Sequence, residues 1–174
     1  PDQSSHLRQF FEAAGYTEQG FVAALGTVEP PLPHLRSLPR LLHVTREPTT
    51  FNTLARWFLA GLPVDAGRAR ENTPDWFRGA CLESGLLRSE GEALVPTSLL
   101  VPSGNFLVAA DLYQRLLSTT NFDHVLTINP AARLLLDFTI RRPARSTLDL
   151  CAGCGIQALA ASPHSEAVVA TDLN

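Results

Sequence analysis

The chain predicts a mixed α/β fold in two parts. A mostly helical amino-terminal region closes on a β-hairpin, and a strand–turn–helix–strand unit follows at the carboxyl end. Three observations carry this expectation. Apolar residues recur at helical spacing through the first 85 residues. Strand-like apolar runs then flank a Ser103-Gly104 turn. The final stretch, LDLCAGCGIQALAASPHSEAVVATDLN, alternates apolar strands with a small-residue turn and ends near an acid.

Leu7, Phe10, Phe11 and Ala14 fall at i, i+3, i+4 and i+7, which predicts a first helix capped by Ser4 or Ser5 and closed at Gly15. A short second helix is expected from Thr17 to Leu25. Pro30, Pro31 and Pro33 make a connector of residues 29–33, and a weaker helical pattern spans Leu35 to His43. Phe51, Leu54, Ala55 and Phe58 form the next stripe, stopped by Gly61. A short helix is expected after Pro63 with Val64 and Ala69 inward. Thr73 and Pro74 read as the cap and first residue of a helix whose stripe is Phe77, Ala80 and Cys81, ending at Gly85. After Leu86 and Leu87, strands are expected at Ala93–Val95, Leu99–Val101 and Phe106–Ala109. Trp57 and Trp76 flank these stripes and are expected to pack.

Three helices followed by a β-hairpin resemble a winged helix-turn-helix. Charge decides against duplex reading by this segment. From Phe51 to Asp111 the basic residues are Arg56, Arg68, Arg70, Arg78 and Arg88, against seven acids. The expected recognition helix carries only Arg78 beside Asp75 and Glu83, whereas phosphate binding needs clustered positive charge.

Beyond Leu112–Leu117, a further expected helix, Asp123–Ile128 reads as a strand. Asn129-Pro130 then opens a helix with Ala131, Leu134, Leu135 and Phe138 on one face. Arg141, Arg142, Pro143, Ala144 and Arg145 form a basic linker, read as a solvated connector with a substrate-phosphate contact as the alternative.

In the final stretch Thr147–Cys151 reads as a buried parallel strand with Asp149 near its carboxyl end. Ala152, Gly153, Cys154 and Gly155 turn the chain into a helix that stops before Pro163. Ala167–Thr171 is the second buried strand, and Asp172 stands 17 residues after Gly155. An acid at that separation is placed to accept hydrogen bonds from ribose hydroxyls.

The sequence Asp149-Leu-Cys-Ala-Gly-Cys-Gly followed by Asp172 resembles the first two motifs of class I S-adenosylmethionine-dependent methyltransferases. Their usual form is an acid, alternating glycines (D-x-G-x-G-x-G), a helix, a strand and an acid. Gly153 and Gly155 match the second and third glycines, and Cys151 stands in place of the first. The resemblance implies a Rossmann-like sheet binding S-adenosyl-L-methionine. Asp149 would lie near the methionine amino group, and Cys151, Ala152, Gly153, Cys154 and Gly155 under the methionine part and ribose. Asp172 would hold the ribose hydroxyls, and Leu173 would flank the adenine. The wider layout is similar to bacterial ribosomal-RNA guanine and release-factor glutamine methyltransferases. That implies N-methylation of RNA or of a protein side chain, and places Thr127 to Pro130 near the site.

The group's Asn-Pro-Pro-Tyr/Phe motif is absent, and only two strands of the expected sheet follow the linker. The expectation is a truncated parent enzyme whose catalytic residues lie outside these 174 residues, with residues 1–120 as the amino-terminal domain and 121–174 as the start of the cofactor domain. A stand-alone interaction module carrying a remnant cofactor motif is the alternative.

Other readings explain less. Cys151-Ala-Gly-Cys154 at a strand-to-helix turn also suits a thioredoxin-like redox site, but that leaves Asp149 and Asp172 unexplained. A structural zinc site needs about four ligands, and no second Cys-x-x-Cys or His pair is present. Cys81 falls on a helical stripe and is expected in the core, and the five scattered histidines suggest no catalytic role. A nicotinamide site would prefer G-x-G-x-x-G, which the turn lacks.

Composition bounds the rest. At 45% hydrophobic and 18% charged, the chain can bury a core. A net charge of −3 gives no global pull toward nucleic acid or anionic lipid. All 14 basic residues are arginine and methionine is absent, which suggests a GC-rich coding sequence and a start that is not the translation start. No apolar run approaches the roughly 18 residues of a membrane span, and no signal peptide is visible. Three cysteines do not make a secreted disulfide framework, so a cytoplasmic home and no membrane partner are expected.

Overall fold

A computed structural model describes residues 3–27, 37–113 and 123–173. The chain is mixed α/β, and the described residues form three small sheets rather than one large one. Helix α1 (Gln3–Ala13) begins ahead of Ser4 and Ser5, so those serines lie inside its first turn and are not its cap. It buries Phe11 and turns at Gly15 into α2 (Glu18–Leu25), whose Thr17 hydroxyl caps the amide of Gly20. The Tyr16 hydroxyl between them donates to the Leu100 carbonyl at 2.7 Å, fixing this corner to a strand. The expected connector at residues 29–33 lies outside the described residues, as do Leu35 and Arg36 of the next expected helix, which is described as α3 (Leu38–Val44).

Helix α4 (Thr50–Leu54) runs directly into a π-helical turn over Ala55–Leu59. Four residues there, Ala55, Trp57, Phe58 and Leu59, are buried. Three consecutive large side chains spread about 200° around an α-helix, so this segment is packed on more than one side, and the wider turn lies at the centre of the core. The Trp57 indole N–H donates to the Leu94 carbonyl at 3.0 Å.

The short helix expected after Pro63 is α5 (Ala66–Asn72), and Val64 and Ala69 are both buried as expected. Val64 itself stands in a short strand, β1 (Val64–Asp65), and Asp65 caps α5 through the amides of Gly67 and Arg68. Thr73 closes α5 through its hydroxyl on the Ala69 carbonyl instead of capping α6 (Asp75–Glu83), whose N-cap is Pro74. A hairpin absent from the sequence reading follows: β2 (Leu87–Glu90) pairs with β3 (Ala93–Pro96) around Gly91. Arg88, Ser89 and Glu90 hide β2 from a hydropathy pattern, because only Leu87 of that strand is buried. Strand β3 also pairs with β1, giving an antiparallel sheet of order β1-β3-β2. The hairpin expected around Ser103-Gly104 is a separate two-stranded sheet of β4 (Ser98–Ser103) and β5 (Phe106–Asp111).

Helix α1 lies along α6. His6 stacks on Trp76 with ring centroids 4.1 Å apart, Phe10 packs on Trp76 and Phe77, and Gln3 donates to Glu83 at 3.2 Å. Trp76 packs against His6, Phe10 and Phe77 yet stays 40% exposed, unlike the fully buried Trp57. Gly79, in the middle of α6, has open space where a Cβ would stand. Gly79→Ala should therefore stabilise the fold by about 1 kcal/mol through helix propensity. A thermal melt should show a rise of about 2–4 °C for a chain of this size; a fall would mean that the apparent space is filled.

Most of the expected helix at Leu112–Leu117 lies outside the described residues. Asp123–Ile128 is not a strand. Val125 accepts from the Asp111 amide, but its own N–H bonds the Asp111 side chain, so no backbone ladder extends. Helix α7 (Pro130–Phe138) starts as expected, with Asn129 accepting from the Ala132 amide. Its buried residue is Leu136, while Leu134, Leu135 and Phe138 are exposed. The expected apolar face is thus not the packed one.

Strand β6 (Ala144–Leu150), helix α8 (Ile156–Ala161) and strand β7 (Ser165–Thr171) complete the chain, with β6 and β7 parallel. The core formed by Phe11, Trp57, Phe58 and Phe77 continues through Ile128 and Leu136 to Ile156. Arg133 of α7 also pairs with Glu18 of α2 at 3.2 Å. No helix among the described residues is long and apolar enough to cross a membrane.

Candidate functional site

The candidate site is the turn between β6 and α8 together with the end of β7. The parallel register places Asp149 beside Ala170 and Leu150 beside Thr171. The two acids of the sequence motif therefore stand at the carboxyl ends of adjacent strands, where open α/β sheets bind ligands. The Ala152 amide donates to the Thr171 carbonyl at 3.0 Å, tying the turn to the second strand.

Backbone angles define the turn. Cys151, Gly153 and Gly155 have φ of 58°, 52° and 73°, so left-handed residues alternate through it. A Cβ added at Gly153 or Gly155 would meet no atom, so glycine is required there for conformation and not for space. Cys151 takes the same conformation without being glycine. The left-handed region costs an ordinary residue about 1–2 kcal/mol. Cys151→Gly should therefore raise the unfolding free energy by about 1 kcal/mol in urea, and an unchanged midpoint would count against strain at this position.

Each acid already has a structural partner. Asp149, half-buried, accepts from the Ala158 amide at 3.0 Å and so caps the first turn of α8, whose Gly155 N-cap offers no side chain. Asp172 accepts from the Gly153 amide at 2.6 Å through one oxygen and from the Leu173 amide at 2.7 Å through the other. A carboxylate offers about four acceptor positions, so the single bond to Ala158 holds Asp149 in place without exhausting it. Cys151, Gly153, Asp172 and Leu173 are exposed, while Ala152, Cys154 and Gly155 are half-buried. All eight residues singled out by sequence thus fall in one local constellation. Sequence reasoning missed the Ala158 amide and the Thr171 carbonyl, since backbone partners leave no signature in residue identity.

The thiols have different surroundings. Burial pushes the Cys154 thiol up, and nearby Asp149 adds to this, against the lowering effect of backbone bonds at Ile156 and Cys154 itself. That direction opposes a nucleophilic, thioredoxin-like role, which needs a stabilised thiolate. Burial pushes Cys81 up to about 12. A thiol-reactive dye should label exposed Cys151 first and Cys154 more slowly, reaching Cys81 only on unfolding. Mass mapping of partially labelled protein checks this order. Among the described residues, no three His, Cys, Asp or Glu side chains are grouped to hold a metal ion.

The strands are less covered than the sequence suggests. Leu148 and Val169 are neighbours in the register, and Leu148, Val169 and Leu150 are 58%, 54% and 68% exposed. Both strands were expected to be buried. Alternate residues of a strand point to opposite faces, and α8 packs against the pair, with Asp149 reaching its amide. The other face keeps its apolar residues in the open.

No protein-family model matches the chain, and no curated protein matches it.

Proposed function

We propose that this chain carries the cofactor-binding opening of an S-adenosylmethionine-dependent methyltransferase acting on a nitrogen of RNA or of a protein side chain. The observation carrying the reading is the turn itself. Three alternating left-handed residues, Cys151, Gly153 and Gly155, lie between an acid that caps the following helix and an acid that holds Gly153. This arrangement fits the cofactor: it offers backbone under a ligand and two fixed carboxylates at adjacent strand ends. Asp149 would lie near the methionine amino group, residues 151–155 under the methionine and ribose, Asp172 on the ribose hydroxyls and Leu173 beside the adenine. When bound, the cofactor supplies an electrophilic methyl group, and the protein contributes mainly by orienting the acceptor in line with it. None of the 174 residues is assigned to hold that acceptor.

The amino-terminal part supports a winged-helix-like reading through the order α4-β1-α5-α6-β2-β3 and its sheet β1-β3-β2. A role other than duplex reading is favoured there. Arg78, on α6, is buried against Thr73 and Asp75, and Arg56 and Arg68 bond carbonyls at the end of α3. These cations are committed to the fold, and α1 lies along the helix that would enter a groove. A non-catalytic interaction module remains the second reading on this observation. The enzyme reading places the protein in the cytoplasm.

Nuclear magnetic resonance titration tests the cofactor site. Millimolar S-adenosylmethionine should shift the Gly153, Gly155 and Leu173 amides saturably, with weak affinity because two strands do not enclose a pocket. Asp172→Ala should abolish the shifts. Equal shifts with a nicotinamide dinucleotide would favour the other Rossmann-type reading, and an absence of shifts with S-adenosylmethionine would count against the proposal. Micromolar affinity in calorimetry would overturn the expectation that the pocket is incomplete.

A further inference from the structure

We propose that the arginine run after α7, together with two cavities meeting at His164, binds the backbone of a single-stranded nucleic acid. The arginines of this chain differ in what they bond. Among the described residues, Arg8, Arg46, Arg78, Arg88 and Arg133 are ion-paired with Glu12, Glu47, Asp75, Glu90 and Glu18. Arg40, Arg56 and Arg68 donate to backbone carbonyls. These eight are occupied by the fold. Among the described residues Arg142 and Arg145 are exposed and have no hydrogen-bond or ion-pair partner, and Arg141 uses one nitrogen on the Leu136 carbonyl. Three arginines without an intervening acid therefore lie within five residues, in a chain that is acidic overall.

The surface beside the run is concave. One cavity of about 610 Å³ is walled by Arg133, Arg141, Leu136, Phe106 and His164. A second, of about 530 Å³, is walled by Arg145, Pro143, Ser165 and His164. Pro163 and His164 line both. Glu18 and Asp137 line the first and Glu166 the second, so acids and arginines are equal in number along the two walls, and the excess positive charge of the run rests on Arg142 beyond them. Paired cavities with a half-buried aromatic ring, Phe106, suit unstacked bases, while the arginines suit the phosphates between them. A duplex keeps its bases inside and would use the arginines alone.

The position also matters. Ile156, the residue after Gly155, lines the first cavity, as does His164 beyond the other end of α8. The cavity wall thus runs along a helix of about 9 Å from beside the candidate cofactor turn. Binding here requires no methyl transfer, so the test below is independent of the cofactor reading.

The test is fluorescence anisotropy of the full 174-residue chain with a labelled 12-nucleotide oligouridine, between 50 and 200 mM salt. With three arginines engaged, log affinity against log salt should fall with a slope of about −2, from about −0.7 per phosphate neutralised on a single strand. Arg142→Ala with Arg145→Ala should weaken binding at least about tenfold and remove about 1.4 from that slope. Both side chains are exposed, so circular dichroism should be unchanged. Phe106→Leu should weaken binding about fivefold or more without changing the slope, as a lost stacking contact does. Arg70→Ala, on α5, should leave binding unchanged. Absence of saturable binding at 50 mM salt would overturn the proposal. So would wild-type affinity in the double arginine variant, equal affinity for a duplex of the same length, or full competition by an acidic peptide of matched charge.

Discussion

Trp57→Ala is expected to destabilise the protein by about 3–5 kcal/mol, a large part of the 5–15 kcal/mol that holds a typical domain. Trp57 is fully buried within the π-helical turn, and its indole N–H donates to the Leu94 carbonyl. Alanine removes the ring from the middle of the aromatic core, leaves a cavity beside Phe58 and strips a buried carbonyl of its donor. Trp57→Phe separates the terms. It keeps most of the apolar volume but loses the hydrogen bond, so it should cost about 1–3 kcal/mol. Urea unfolding should show both midpoints falling in that order with similar slopes. A cost below about 1.5 kcal/mol for Trp57→Ala would mean that the turn collapses onto the cavity and that the core is less tightly specified than its burial implies.

Asp149→Ala is expected to cost about 1–2 kcal/mol through loss of the cap on α8. The Ala158 amide, bonded at 3.0 Å in the native protein, should lose protection against hydrogen exchange while the aromatic core keeps its own. Asp149→Asn distinguishes the acid's two roles. Its amide oxygen can still accept from Ala158, so most of the stability should return. Under the proposed function the neutral side chain should nevertheless fail to restore contact with a cationic methionine amino group. Stability recovered without ligand shifts would support a dual role. Full recovery of both would remove Asp149 from the cofactor site, and recovery of neither would show that the charge itself is needed by the helix.

The motif at the carboxyl end was legible because its signals are local. Gly153 and Gly155 can hold left-handed backbone at little cost, and acids at fixed distances from that turn fall at the ends of adjacent parallel strands. Cys151 carried a weaker signal. It stands where the motif has a glycine, and its left-handed backbone is seen only in the structure, because a cysteine side chain does not favour that conformation. The hairpin at Gly91 was missed for the opposite reason. Strand β2 is mostly polar and exposed, and it becomes a strand because β3 offers it hydrogen bonds.

The amino-acid sequence by itself determined most turns and helix positions, the cofactor-like motif and the low positive charge of the amino-terminal part. These depend on residue conformation and composition within a few positions. Only the tertiary structure decided which face of α7 packs, how Trp57 and Trp76 differ, and which arginines are committed to the fold. Leu136 is buried while Leu134, Leu135 and Phe138 are not, although all four are apolar. Arg68 and Arg142 have the same side chain, yet one caps carbonyls and the other reaches solvent. Burial and pairing depend on what another segment brings into contact, and that information lies in no single stretch of the chain.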